Sequence, residues 1–488
     1  MKRCLPALCL ALMLSAPTFS QTVGGSDAVW RASSRLGYGP TPEVVADIDH
    51  AGGPQAWALL QIDAAYTASL LPARLPGQLP HLSLSLPDIF QSAQDERQAR
   101  RAEREKSAQT ADANGSQGAA ATPAADTPSF LRDVARESAA WRMVACSSPQ
   151  LENPLLARMT EFWFNHLNVF VGKGAVRPFI GNYELQAIRA HALGRFEDLL
   201  LASARHPAML FYLDQAQSVA DGTPGGAGGK ARGLNENYAR ELMELHTLGV
   251  DGGYSQTDVH ELARILTGWT VGPRDPSGFR FVARAHDRGD KQLLGQTFHN
   301  RGESEGEDAI RMLAHQPATA HRIATRLATF FVSDHPSTDL IDRIAHSFTA
   351  SKGDIRATLR TLFQAPEFWQ ADQKLFKTPV DFACSATAAL GGVQDATDVK
   401  RSLGFLANAG QPIHGWQTPD GYKTDAATWL SPEALTRRAD FAVLLGRQAN
   451  PPTYLRAYLS PATLQRIDGE PAALQTGLML ASPDFMRK

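Results

Sequence analysis

The residue types and spacing best suited to chemistry lie in one run, Asn235-Glu236-Asn237-Tyr238-Ala239-Arg240-Glu241-Leu242-Met243-Glu244-Leu245-His246-Thr247-Leu248-Gly249. An Asn at its head and a Gly at its end predict a helix over 235–249. With Glu236 at zero on a wheel of about 100° per residue, Thr247, Arg240, Glu244, Asn237 and Glu241 fall between about 20° and 140°. Leu245, Tyr238, Leu242, His246, Ala239 and Met243 fill about 180° to 340°, so the helix is expected to be well buried. Arg240 stands four residues from both Glu236 and Glu244 and can bridge them. Glu241 has no partner within the helix. A buried carboxyl without a base has a raised pKa, which is how general acids are made. The same pattern also fits a solvated face stitched by salt bridges.

The helix expected over 256–268 repeats the theme. Ser255 and Asp258 fit a capping box, which gives Asp258 a structural role. Glu261 and Arg264 are three apart and are followed by Thr267-Gly268-Trp269. A short antiparallel pair joined by Asp251-Gly252-Gly253-Tyr254 would bring Glu241, Glu244, Glu261 and Arg264 together. Further polar residues sit in apolar surroundings. His166 follows Glu161-Phe162-Trp163-Phe164-Asn165 and reads as a hydrogen-bonded core residue or as a catalytic assistant. Asp214 ends a helix and either turns the chain or projects into a cleft. His286, Asp287 and Lys291 bracket an expected hairpin turn, a position that Asp favours on structural grounds alone.

The motifs for several chemistries are missing. His260-Glu261 is not continued as a zinc-binding helix motif, no Glu-x-x-His pair suggests a di-iron bundle, and no CxxC occurs. A metal site assembled from distant residues such as His166, Asp214 and Glu241 stays open. No GxSxG elbow supports a serine nucleophile. The glycine-rich 221–233 segment fails as a phosphate loop, because Lys230 is followed by Ala231 and no strand precedes it. The cofactor is therefore unassigned.

These residues must be positioned by a mainly α architecture. Ala, Leu, Arg and Glu dominate, and apolar residues recur at three and four. The expectation is one large helical domain with one small β-hairpin, Phe279–Val282 returning at Gln292–Gly295, and a flexible insertion. The boundaries expected are a signal peptide over 1–20, an N-terminal helical segment over 21–93, a low-complexity insert over 94–128, a main helical domain over 129–450 and a C-terminal helical segment over 451–488. The insert opens with a run of mixed charge, DERQARRAEREK, read as a solvated helix leading into a flexible stretch. The chain has 488 residues, 43% of them hydrophobic, which suits a sizeable core. A formal net charge of -2 gives no electrostatic footprint for nucleic acid.

The N-terminus predicts the address. Lys2 and Arg3 precede an apolar stretch over Cys4–Ala16, then small and polar residues, the layout of a cleavable secretory signal. A secreted or periplasmic location follows, without stable membrane insertion after cleavage. Of four cysteines, Cys146 and Cys384 would survive cleavage, as a disulfide or as two buried thiols.

LNENYARELMELHTLGVDGGYSQTDVHELARILTGW, RLGYGPTP, FWFNHLNVF, AHDRGDKQLLGQTF, ATAHRIATRLATFFVSDHP and GQPIHGWQTPDGY together resemble the bacterial family known as domain of unknown function 1800. The resemblance implies a secreted, mainly helical protein without an established activity. It also implies an exported phosphatase- or sulfatase-like protein as partner. The residues shared with its motifs are Asn235, Glu236, Asn237, Arg240, Glu241, Glu244, Asp258, Glu261, Arg264, Trp269, His286, Asp287 and Lys291.

Two functions follow as expectations. The first is an exported hydrolase or transferase acting on an extracellular polymer. Glu241 or Glu244 would serve as acid or base, with Glu236, Asp214 and Asp287 as further carboxylates and His166 or His286 assisting. Arg240 would hold a polar or anionic group, and Asn235, Asn237, Arg264, Trp269 and Lys291 would bind substrate. Helices over 150–170, 235–249 and 256–268 would form the cleft, with the 286–291 turn as its rim. The second is a non-enzymatic accessory or assembly protein whose buried charges specify its fold.

Overall fold

Prolines and small polar residues set most helix starts. Asn153 accepts a hydrogen bond from the Leu156 amide and Pro154 opens the Pro154–His166 helix. Ser255 and Asp258 form the expected reciprocal capping box on the Gln256–Leu266 helix. Pro317 opens Pro317–Phe331, whose Ile323, Ala324, Leu327, Ala328 and Phe331 are buried at helical spacing. A computed structural model describes residues 25–114, 129–223, 233–370, 372, 374–447 and 451–488. The expected signal peptide lies outside them, as does most of the glycine-rich segment. The charged run lies on one helix, Leu86–Asn114, that continues past residue 94; residues 115–128 of the expected insert are outside the described residues.

The architecture is mainly α with small antiparallel two-stranded sheets. Here the single expected hairpin becomes two. Strand β1 (Trp269–Val271) pairs with β2 (Phe279–Phe281), and β3 (Lys291–Leu293) pairs with β4 (Gln296–Phe298). Phe279–Phe281 thus returns to Trp269–Val271 rather than to residues 292–295. The second hairpin is closed by Leu294 and Gly295, both at positive φ, the two-residue turn that matches strand twist.

Two large apolar clusters fill the interior. One runs from Ala28 to Trp369 and includes Trp57, Trp163, Trp269, Tyr183 and Tyr238. The other joins Met143 and Cys146 to Phe382, Phe405, Phe441 and Phe485. Cys146 and Cys384 are disulfide-bonded and tie the Phe130–Ser147 helix to Pro379–Ala389.

Buried charges cross-link these elements. Arg158 pairs with Asp381 and Glu161, Glu161 accepts from the Tyr38 hydroxyl at 2.5 Å, and Lys488 reaches Asp381 at 2.5 Å. Arg142 and His414 each approach Glu184 at 2.5 Å, and Arg189 approaches Glu152 at 2.5 Å. Every one of these acids is clasped by a base, so they brace the fold. No helix among the described residues is long and apolar enough to cross a membrane.

Candidate functional site

The central segment is shorter and wider than its periodicity predicts. The α-helix spans Asn237–Glu241 and passes at once into a π-helical turn, Leu242–His246. Asn235 is not the cap; its Oδ1 accepts from the Asn237 amide at 2.9 Å, and Glu236 occupies the cap position. The Asn235 amide donates to Ser218 Oγ at 3.2 Å and Asn237 Nδ2 donates to the Leu213 carbonyl at 3.3 Å. Both asparagines therefore lock the helix start onto the 213–218 segment. The π-turn adds a residue per turn and breaks the i,i+4 ladder. Arg240 accordingly reaches Glu236 at 3.3 Å but forms no ion pair with Glu244, contrary to the bridge expected. Glu236 also accepts from Gln256 Nε2 at 2.8 Å and lies 3.0 Å from His260 Nδ1.

Glu241 and Glu244 are left partly exposed, and neither has a hydrogen bond or an ion pair. Burial and the neighbouring Glu244 push the Glu241 carboxyl above its ordinary value; Arg240 opposes this and Asp420 adds to it. Burial pushes the Tyr212 phenol up, as do Glu241 and Asp420, and its hydroxyl donates to the Gln417 carbonyl at 2.8 Å. Burial and Glu244 likewise raise Tyr254.

The facing wall is the Pro317–Phe331 helix, with Arg322 and Arg326 one turn apart. Arg322 Nε donates to the Leu245 carbonyl at 2.9 Å, which ties this wall to the π-turn. Burial and then Arg322 lower the Arg326 pKa to about 10, with Asp420 opposing. Asp420 comes from the loop between the Ala396–Asn408 and Ala426–Trp429 helices. It accepts from Thr418 Oγ1 at 2.6 Å and Trp416 Nε1 at 3.2 Å. The loop is pinned to the end of Pro154–His166. Asn165 Oδ1 accepts from the Tyr422 amide at 2.8 Å and its Nδ2 donates to the Tyr422 carbonyl at 2.9 Å. Asn168 Nδ2 donates to the Thr418 carbonyl at 2.8 Å. At Gly421, with φ +70°, a Cβ would lie 2.2 Å from the Asn165 carbonyl oxygen, so only glycine fits. Arg326, Asp420 and Asn165 line a cavity of about 290 Å³.

The remaining candidates fall elsewhere. His166 is 1% exposed; its Nε2–H donates to the His246 carbonyl at 3.0 Å. Burial, then Arg326 and Arg322, hold it well below the ordinary histidine range, so it is a neutral core residue. Asp214 turns the chain at φ 60° and pairs with Lys173 at 2.7 Å. Glu261 and Arg264 do not join Glu241 and Glu244. Arg264 contacts Glu261 and Asp287, each at 2.8 Å, and Glu261 also accepts from the Gln292 amide at 2.8 Å. His286 Nδ1–H donates to the Thr267 carbonyl at 2.9 Å, while its Nε2 lies 3.2 Å from Glu305. Lys291 lies 2.8 Å from Glu305 and donates to the Asp287 carbonyl at 2.5 Å. Trp269 is 0% exposed and packs edge-on against Phe279. Arg264, Trp269, His286, Asp287 and Lys291 thus fasten the hairpins to the helices, while residues 288–290 of the expected rim are exposed.

Among the described residues no group of three or more His, Cys, Asp or Glu could hold a metal ion. The arrangement that does assemble is Glu241, Glu244, Asp420, Arg322 and Arg326, with Tyr212 and Tyr254 beside it. The sequence reading missed Asp420, Arg322 and Arg326. Its nearest signal was the GQPIHGWQTPDGY loop, whose Pro and Gly mark an irregular segment that carries polar side chains.

Residues 31–487 match the family described as protein of unknown function (DUF1800), nearly the whole chain, and the chain belongs to that family. No curated protein and no solved structure matches it.

Proposed function

We propose that this DUF1800 protein is an exported hydrolase or transferase acting on an extracellular polymer, with Glu241 as its general acid. One observation carries the reading. Glu241 keeps contact with solvent, is clasped by no base, and sits among carboxylates that favour its protonated form. A carboxyl raised by its surroundings and standing near further carboxylates is suited to glycoside chemistry. Protonated Glu241 would pass its proton to the leaving oxygen as the glycosidic C–O bond breaks. Asp420 or Glu244 would take a proton from the water or acceptor hydroxyl whose oxygen forms the new bond. Arg322 and Arg326 would orient the chain. The Cys146–Cys384 disulfide supports an oxidising compartment. An exported phosphatase- or sulfatase-like protein belongs to the same proposal as partner, and co-purification from the envelope fraction tests it.

The sealed networks around Arg158 and Glu305 favour the accessory-protein reading for their own residues, but they do not include Glu241. The test is hydrolysis of a panel of extracellular polysaccharides by the wild type, Glu241→Gln and Asp420→Asn. Loss of activity by roughly 10²- to 10⁴-fold with an unchanged circular dichroism spectrum is expected for Glu241→Gln. Full activity in that variant removes Glu241 from the mechanism.

A further inference from the structure

Buried arginines in this protein are generally answered. Arg158, Arg142 and Arg189 meet carboxylates. Arg31, Arg35 and Arg438 donate to the carbonyls of Trp369, Phe368 and Lys377. Arg326 departs from this habit. It is half-buried, has no hydrogen bond and no ion pair, and lines the 290 Å³ cavity. A guanidinium carries five N–H donors in a fixed fork that matches an oxyanion. Half withdrawn from water and bonded to no acceptor, with Asp420 the acid whose charge acts on it, that fork is open to an oxyanion. Arg322, four residues earlier, adds a second positive charge and cannot neutralise it.

The same cavity also carries an acid. Asp420 holds its carboxylate there through Thr418 and Trp416. Asn165 is committed to the loop backbone. An anion lying against Asp420 would be repelled, whereas a hydroxyl would donate to it. The cavity therefore suits a ligand with an oxyanion at one end and hydroxyls at the other, rather than a free inorganic ion. We infer that the Arg326 cavity is an acidic-sugar subsite, taking the carboxylate or sulfate substituent of a polysaccharide unit while Asp420 faces its hydroxyls. This rests on the proposed glycan chemistry for its placement beside Glu241.

Binding tests it separately from turnover. Calorimetry would use the intact protein with a glucuronate oligosaccharide, its carboxyl-reduced neutral analogue, a sulfated oligosaccharide and inorganic sulfate. The wild type is expected to prefer the glucuronate or the sulfated probe over the neutral analogue, and the one preferred identifies the substituent. Arg326→Gln is expected to weaken the preferred probe at least tenfold and leave the neutral analogue unaffected. Arg326→Lys, which keeps charge but loses the fork, should fall between and stands in if Arg326→Gln does not fold. Equal affinity for acidic and neutral probes, or an acidic probe indifferent to both substitutions, overturns the subsite. Tight binding of inorganic sulfate with no oligosaccharide binding overturns the sugar assignment. Acid-selective binding without hydrolysis by the wild type leaves the subsite standing and removes the catalytic reading. Hydrolysis lost in Glu241→Gln but insensitive to Arg326 does the reverse.

Discussion

Replacing Glu184 by glutamine separates charges that hold the fold from charges that face water. Glu184 is sealed between Arg142 Nε and His414 Nε2, each 2.5 Å away. Burial alone would push its carboxyl up; the Arg142 charge, His414 and the hydrogen bonds from both more than reverse this and hold it at about 2. Against an ordinary 4.5 this corresponds to roughly 3 kcal/mol of stability. A depressed carboxyl contributes that stability above its unfolded pKa and loses it as pH falls through the folded one. The contribution is therefore present at pH 7 and fades between about 4.5 and 2. Glutamine keeps the shape but leaves the Arg142 charge buried and uncompensated, a change worth about 3–5 kcal/mol by the usual cost of breaking a buried pair. Urea denaturation across a pH series would show a loss of about 3 kcal/mol at pH 7 and a flatter acid limb. A loss under about 1 kcal/mol, or an acid limb identical to the wild type, would refute the assignment of this network to stability. His414 belongs to the same loop as Asp420, so the variant should also lower any activity that depends on Asp420.

Three further outcomes follow. Glu241 has the opposite sign: its raised carboxyl penalises the folded state above the folded pKa, and the penalty disappears as pH drops below the unfolded value. Glu241→Gln should therefore be more stable than the wild type at pH 7 and equal to it near pH 3, measured by the same denaturation series. Cys146→Ser removes a cross-link spanning 238 residues and should destabilise by up to roughly 5 kcal/mol on chain-entropy grounds, with dithiothreitol reproducing the loss in the wild type and having no effect on the variant. Gly421→Ala must displace either the loop or Asn165, so oligosaccharide binding should fall while the disulfide and overall helicity persist, read by calorimetry and circular dichroism.

Local patterns were legible where local physics decides. The capping box at Ser255 and Asp258 and the apolar spacing over Pro317–Phe331 are written in neighbouring residues. The extended runs at Phe279–Val282 and from Gln292 were legible too, but their pairing was not, because Trp269-Thr270-Val271 is too short a run to announce a strand directly after a helix. The Arg240–Glu244 bridge failed because a π-turn leaves no mark in a count of fours. Glu241 was legible as an acid without a helical partner. Its surroundings were not, since Arg322 and Arg326 read from sequence as the ordinary polar face of an amphipathic helix. Asp420 lies far along the chain, and only tertiary packing brings its loop back to Asn165 and Asn168. Conversely, Arg264, His286, Asp287 and Lys291 carry suggestive chemistry in sequence but satisfy one another in space.

The pinning of the 416–422 loop by Asn165 and Asn168 sets an order of assembly. A nascent polypeptide synthesised as far as the Pro317–Phe331 helix already contains Glu241 and both wall arginines, yet it lacks the rim that completes their pocket. The pocket is completed late in biosynthesis, once the final quarter of the chain has packed back over residues made long before, so incomplete chains released early would lack it.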